Sequence, residues 1–120
     1  MIEHLEIGRK SEILVRDYMI SRGLTLLCEN YTVCGYGELD LVFQKADTVY
    51  IVEVRSRKFY TEGFWQEADA FDAKKLRKVR RTASIFLKEK HLTECNISIL
   101  CALVLRDTAE KKAHLRFFEA

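Results

Sequence analysis

Hydrophobic and polar positions alternate with two different periods along this chain. Ile7, Leu14, Val15, Tyr18 and Met19 recur at helical spacing, which predicts a first helix from about Glu3 or Ser11 to Arg22 with Gly23 at its C-terminal cap. Glu12 precedes Val15 by one turn and Met19 by two, so it lies on the flank of that stripe. Leu24 to Cys28 reads as a strand, followed by clearer ones at Glu38 to Phe43 and Thr48 to Arg55. The polar connector Lys45-Ala46-Asp47 makes the latter two a hairpin. Ser56 to Gln66 reads as irregular. Leu76, Val79, Ala83, Phe86 and Leu87 then define one face of a second helix over about Ala68 to Lys90. Ile97 to Leu105 is almost continuously apolar, the pattern of a central strand covered on both faces. His114 to Phe118 reads as an edge strand. The order α-β-β-β-α-β-β predicts an α/β fold with helices against a mixed sheet of four to five strands.

The 120 residues amount to a single domain, with 48% hydrophobic and 32% charged content and no Pro. That composition excludes a disordered or collagen-like chain. No apolar run approaches the roughly 18 residues of a membrane span. Glu3, Glu6, Arg9 and Lys10 interrupt any export-signal core. A cytoplasmic protein with no membrane partner is the expectation. Cys28, Cys34, Cys95 and Cys101 lack metal-ligand spacing, and no His adjoins either pair. Reduced, buried thiols are expected. His4, His91 and His114 show no metal spacing either.

The net charge of +2 conceals a strong asymmetry: residues 55–90 carry 11 Lys and Arg against 5 Asp and Glu. Lys74 to Arg81 alone holds six basic residues in eight. Lys74, Arg77, Lys78 and Arg81 point away from the apolar face, while Lys75 and Arg80 flank it on opposite sides. A basic helix suits a phosphate-bearing partner, although it is also an ordinary solvated surface.

The hairpin concentrates charge. A two- or four-residue connector centred between Ala46 and Asp47 sets Val42 opposite Ile51, Asp40 opposite Glu53, and Glu38 opposite Arg55. A three-residue loop would instead send the charges to different faces. Opposed Cβ atoms lie about 5 Å apart. Two carboxylates at that distance repel by roughly 3 kcal/mol at an effective dielectric of about 20. A bound proton, a pairing with Arg55, or a bridging Mg²⁺ or Mn²⁺ would offset this. A plain salt-bridged strand surface fits the same pattern.

Asp40, a gap of twelve, and Glu53-Val54-Arg55 resemble the Asp…(Asp/Glu)-x-Lys signature of the PD-(D/E)XK nuclease fold. Gly8-x-x-Ser-Glu12, Gly23-Leu24, Asn30, Gly37-Glu38-Leu39-Asp40-Leu41-Val42 and Ile51-Val52-Glu53-Val54-Arg55-Ser56-Arg57 occur in that order. Together they resemble the YraN-like family of small bacterial proteins over about residues 8 to 105. The resemblance implies a restriction-endonuclease-like core acting on DNA, by likeness to archaeal Holliday-junction resolvases. It implies Asp40 and Glu53 as metal ligands, Glu12 as a third acidic contributor, Glu38 as part of the family's Gly-Glu pair, and Lys75 as a family Lys on the second helix. Arg55 stands at the motif Lys. Arg stays protonated, so it stabilises charge rather than acting as a base. Ser98 stands where the family usually carries Asp, and the Asn30–Gly37 segment is one residue longer than usual.

The expected activity is metal-dependent hydrolysis of DNA phosphodiesters, branched DNA included. Asp40, Glu53, Arg55 and Glu12 would be catalytic, with Asp40, Glu53 and Glu38 toward Mg²⁺ or Mn²⁺. Arg57, Lys58, Lys74, Lys75, Lys78 and Arg81 would contact nucleic acid. Phe59, Tyr60, Phe64 and Trp65 would stack on bases, pin their loop, or form a homodimer contact. The alternatives are a nucleic-acid-binding module that keeps the fold without catalysis, and a protein-interaction domain that uses the loop aromatics.

Overall fold

The computed structural model describes residues 2–58, 72–107 and 110–120, with side chains from residue 7 onward. Its order is α1 (Ile2–Ser21), β1 (Thr25–Val33), β2 (Gly37–Lys45), β3 (Thr48–Lys58), α2 (Ala73–Glu89), β4 (Asn96–Asp107) and β5 (Lys112–Glu119). The five strands form one sheet in the order β1-β2-β3-β4-β5. All neighbours are antiparallel except β3 and β4, which run parallel through the α2 crossover. This is the mixed α/β sheet with two helices that the sequence predicts.

Each helix covers one face. Val79, Ala83 and Phe86 of α2 pack on Leu39, Val42, Val49, Ile51 and Ile99. Val15 and Met19 of α1 pack on Leu41, Phe43, Val52, Ala102 and Val104. β3 and β4 are therefore apolar on both faces, as expected of a buried parallel pair. Phe86 also meets Tyr31 edge-to-face at 5.0 Å.

The α1 stripe is narrower than its spacing predicts. Val15 and Met19 are buried together with Ser11, whereas Leu14 and Tyr18 are 38% and 41% exposed. A 3.6-residue period turns Leu14 and Tyr18 toward the rim of the contact. The cysteine expectation also needs correction: all four are free thiols, but Cys101 alone is buried, and Cys34 is exposed.

Three boundaries shift. β1 runs on to Val33, past a bulge between Leu26 and Cys28 and a positive φ at Asn30. β3 continues through Ser56, Arg57 and Lys58, because β4 pairs with it as far as Arg106. Arg106 Nε also donates to Ser56 Oγ at 2.8 Å. α2 starts at Ala73, where the Asp72 carboxylate accepts from the Lys75 N–H at 2.7 Å. That is an N-cap, which satisfies one of the helix's orphan donors. The expected helical residues 68–71 lie outside the described residues.

The β2–β3 turn has the predicted register: Lys45 pairs Thr48, Val42 pairs Ile51, and Leu41 pairs Val52. Ala46 takes a positive φ, as the first central position of a two-residue hairpin turn requires. The ladder stops at Leu41–Val52. Beyond it Asp40 and Glu53 do not form a regular pair, and Glu38 pairs with Thr32 of β1.

Candidate metal and nucleic-acid site

Side chains cause that interruption. Asp40 Oδ2 accepts from the Val54 N–H at 2.8 Å, and Glu53 Oε2 accepts from the Asp40 N–H at 3.2 Å. Each carboxylate satisfies a backbone donor on the opposite strand that the ladder would otherwise use. β1 contributes to the distortion. Glu29 pairs Leu41 and Tyr31 pairs Leu39, leaving Asn30 with its positive φ at the level of Asp40. Leu39 and Val42 both join the α2-side core, so strict alternation breaks between them, at the chemically interesting residue.

Glu53 is 3% exposed. Burial and the Asp40 charge push its pKa up to about 7, against the lowering effects of the Asp40 N–H and Lys75. Burial likewise raises Asp40, opposed by the Val54 N–H and the charges of Lys75 and Arg55. Lys75 Nζ lies 3.5 Å from Glu53 Oε1. Its place on the flank of α2 lets the aliphatic stem run along the helix while the ammonium reaches the carboxylate.

Glu12 approaches from α1. Its pKa is raised, first by burial and then by Asp40, with Arg9 opposing and Glu38 and Glu29 adding smaller effects. Its Oε1 is buried without a hydrogen-bond partner. A buried oxygen without a donor costs free energy, which makes it a natural acceptor for a water or an ion. Among the described residues, no group of three or more His, Cys, Asp or Glu side chains is close enough to hold a metal by itself.

The basic surface adjoins this site. Lys74, Lys78 and Arg81 are exposed, as are Arg57 and Lys58 at the end of β3. Arg57 donates to the Ser56 carbonyl at 2.9 Å. The Arg81 guanidinium lies 5.8 Å from the Tyr36 ring centroid. A cleft of about 400 Å³ lies between the β1–β2 turn and Lys78. Gly37 permits this close approach: with φ +153°, a Cβ there would sit 3.0 Å from Thr82 Oγ1.

Residues 11–116 match the sequence profile described as Uncharacterised protein family UPF0102. The chain belongs to the UPF0102 family. Among its relatives, a UPF0102 protein of Ectopseudomonas mendocina is 39% identical over 90 residues, covering 74% of this chain and 72% of the relative. One of Pseudomonas putida is 42% identical over 85 residues, covering 70% and 67%. One of Mycolicibacterium vanbaalenii is 31% identical over 113 residues, covering 92% and 91%. This is the YraN-like family that the Gly-Glu-Leu-Asp and Ile-Val-Glu-Val-Arg segments resemble.

In this UPF0102 chain the structure brings together Asp40, Glu53 and Lys75, with Glu12 and Arg55 within electrostatic reach of Asp40. Glu38 is exposed and stands nearer Glu12 in influence than Glu53. The loop aromatics Phe59, Tyr60, Phe64 and Trp65 lie outside the described residues. Cys101 is a neighbour the sequence did not reveal. It pairs with Glu53 across the parallel ladder, and burial pushes its thiol up to about 11. Only the α2 crossover brings β4 alongside β3, so no local pattern could have signalled it. No helix among the described residues is long and apolar enough to cross a membrane.

Proposed function

We propose that this chain is a cytoplasmic, metal-dependent nuclease that hydrolyses phosphodiester bonds in DNA, branched DNA included. One observation carries the reading. Asp40 and the buried Glu53 are held together with both pKa values raised, and Lys75 reaches Glu53 from the edge of a basic helix. Perturbed, charge-crowded carboxylates of this kind mark functional sites.

The donors suit Mg²⁺ or Mn²⁺. These hard ions take one or two carboxylates and complete their shell with water and phosphate oxygens. Asp40 and Glu53 would hold the ion, and the unpartnered Oε1 of Glu12 would hold one of its waters. When bound, the ion would polarise the phosphate and acidify an attacking water. Lys75 would exchange Glu53 for a phosphate oxygen. Arg55, always protonated, would stabilise charge developing on the phosphate. Lys74, Lys78 and Arg81, with Arg57 and Lys58, would follow the backbone without reading sequence.

The test is incubation of linear and four-way branched DNA with the protein in Mg²⁺ or Mn²⁺, alongside Asp40→Asn and Glu53→Gln. Cleavage by the parent chain that falls at least 100-fold in both variants is expected. A parent chain that binds these DNAs and leaves them intact in both metals overturns the reading.

The second reading is a nucleic-acid-binding module without catalysis. It is favoured by Arg55 at the motif Lys position, which stays protonated and cannot act as a base, beside the exposed basic run Lys74, Lys78 and Arg81. Under it, Asp40→Asn binds DNA as the parent does, and neither cuts.

A further inference from the structure

The two edges of the sheet differ in kind. β1 carries a bulge between Leu26 and Cys28 and a positive φ at Asn30. Such irregularities blunt an edge against further pairing. β5 has neither, and its eight residues pair with β4 in unbroken register, from Lys112–Asp107 to Glu119–Leu100. Among the described residues no strand pairs with its outer side.

The direction of each backbone group follows from one bond. The Ala120 N–H donates to the Ile99 carbonyl at 2.9 Å. Alternation then turns the backbone groups of Phe118, Arg116 and His114 toward β4, and those of Ala113, Leu115 and Phe117 outward. The outward set has its side chains on the α1 face. There Leu115 and Phe117 adjoin the core, and Phe117 stacks on the exposed Tyr18 at 5.6 Å.

We infer that β5 pairs antiparallel with β5 of a second copy, about a two-fold axis at Leu115. A two-fold joining two antiparallel edges stands perpendicular to the sheet, so residues of like parity oppose one another. Centring it on Leu115 sets Leu115 against Leu115 and Ala113 against Phe117 of the second copy. All are outward-facing residues whose N–H and C=O groups then close reciprocal hydrogen bonds. On the other face, Lys112 meets Phe118 and His114 meets Arg116. The neighbouring registers are charge-clashed: centring on Arg116 sets it against itself, and centring on His114 sets Lys112 against Arg116. Like charges directly opposed are destabilising. The Leu115 register avoids both clashes and joins the two Tyr18–Phe117 stacks with Leu14 into one apolar strip. This dimer is independent of the nuclease reading.

Two measurements test it. Sedimentation velocity should show a concentration-dependent dimer in the parent chain, and at least a tenfold weaker one in Leu115→Lys. Leu115→Pro should also be monomeric while still unfolding cooperatively, at a melting temperature lowered no further than that of Leu115→Ala, because both lose the side chain's packing on the core and the N–H that Pro removes is unused inside the monomer. In a Cys34→Ser background, mild oxidation of Leu115→Cys should give a covalent dimer of two 14.1 kDa chains. Residues directly opposed lie within disulfide range. Arg116→Cys should cross-link far less. A parent chain that is monomeric up to several hundred micromolar overturns the inference. So does an Arg116→Cys variant that cross-links more readily than Leu115→Cys, or a dimer unaffected by Leu115→Lys.

Discussion

The carboxylate of Glu53 accepts the backbone N–H of Asp40 at 3.2 Å, from the strand opposite. Asp40 in turn accepts from Val54 at 2.8 Å. The two acidic residues thus replace a rung of the β2–β3 ladder and tie the strands together where the ladder ends. The bonds favour the ionised forms, but burial outweighs them at both residues, joined at Glu53 by the Asp40 charge, and both pKa values rise.

Stability should therefore fall with rising pH. Glu53 titrates near 7 in the folded chain against an ordinary 4.5, so folding takes up a proton between these values. Its contribution is fully present below pH 4.5 and lost as pH rises through 7. The cost by pH 8 is about 3 kcal/mol. Thermal unfolding between pH 5 and 8 without metal should show this decline, and Glu53→Gln should flatten most of it. A parent chain equally stable across that range would refute the crowded-carboxylate account.

Lys75 lowers the Glu53 pKa. Lys75→Ala should move the midpoint of the pH-dependent stability loss upward, and Lys75→Arg should largely preserve it. The ammonium is 41% exposed, so solvent screening limits its contribution to about 1 kcal/mol at pH 8. Melting curves of both variants across the same pH series decide this.

Mn²⁺ titration followed by water-proton relaxation needs no knowledge of a substrate. Affinity should fall at least tenfold in Glu53→Gln. It should fall less in Glu12→Gln, which removes a charge but leaves the closer pair intact. Glu12→Gln should also raise the melting temperature at pH 8 and change it little near pH 4.5, because its pKa is raised by burial and Asp40. Equal Mn²⁺ affinity in all three proteins would remove the metal from the proposal.

Gly37 sets the distance between the β1–β2 turn and α2. Gly37→Ala combines an unfavourable φ of +153° with a Cβ 3.0 Å from Thr82 Oγ1, and should cost about 1–3 kcal/mol in urea unfolding. Adding Thr82→Ala should recover the steric part and leave the backbone part. An additive double variant would mean that Thr82 does not oppose the new methyl group.

Lys74, Lys78 and Arg81 are exposed on the basic helix. If all three neutralise phosphates, the triple Ala variant should lower the slope of log affinity for duplex DNA against log salt by about 2.7, because each contact contributes roughly 0.9. An unchanged slope would place the DNA elsewhere.

Helical spacing in Leu76–Leu87 and the apolar run Ile97–Leu105 were enough to place α2 and β4, since burial of one face leaves a period in the chain itself. The turn centred on Ala46 and Asp47 fixed the register from Lys45–Thr48 to Leu41–Val52, because a hairpin's pairing follows from its loop length. Asp40, Glu53 and the basic run were legible as chemistry for the same reason: they are local. Nothing local could show that the ladder stops at Leu41, because this depends on carboxylates competing for the N–H groups of Asp40 and Val54. The flanking position of Lys75 on the second helix marked it as the candidate to reach the site, and it meets Glu53. Cys101 beside Glu53 and Gly37 against Thr82 had no such signal, being contacts made only once α2 carries the chain across the sheet. The exposure of Leu14 and Tyr18 was likewise decided by where α1 lies on that sheet. Sequence period specifies which face of an element is apolar; how much of that face is covered depends on the docking angle, a property of the assembled layers.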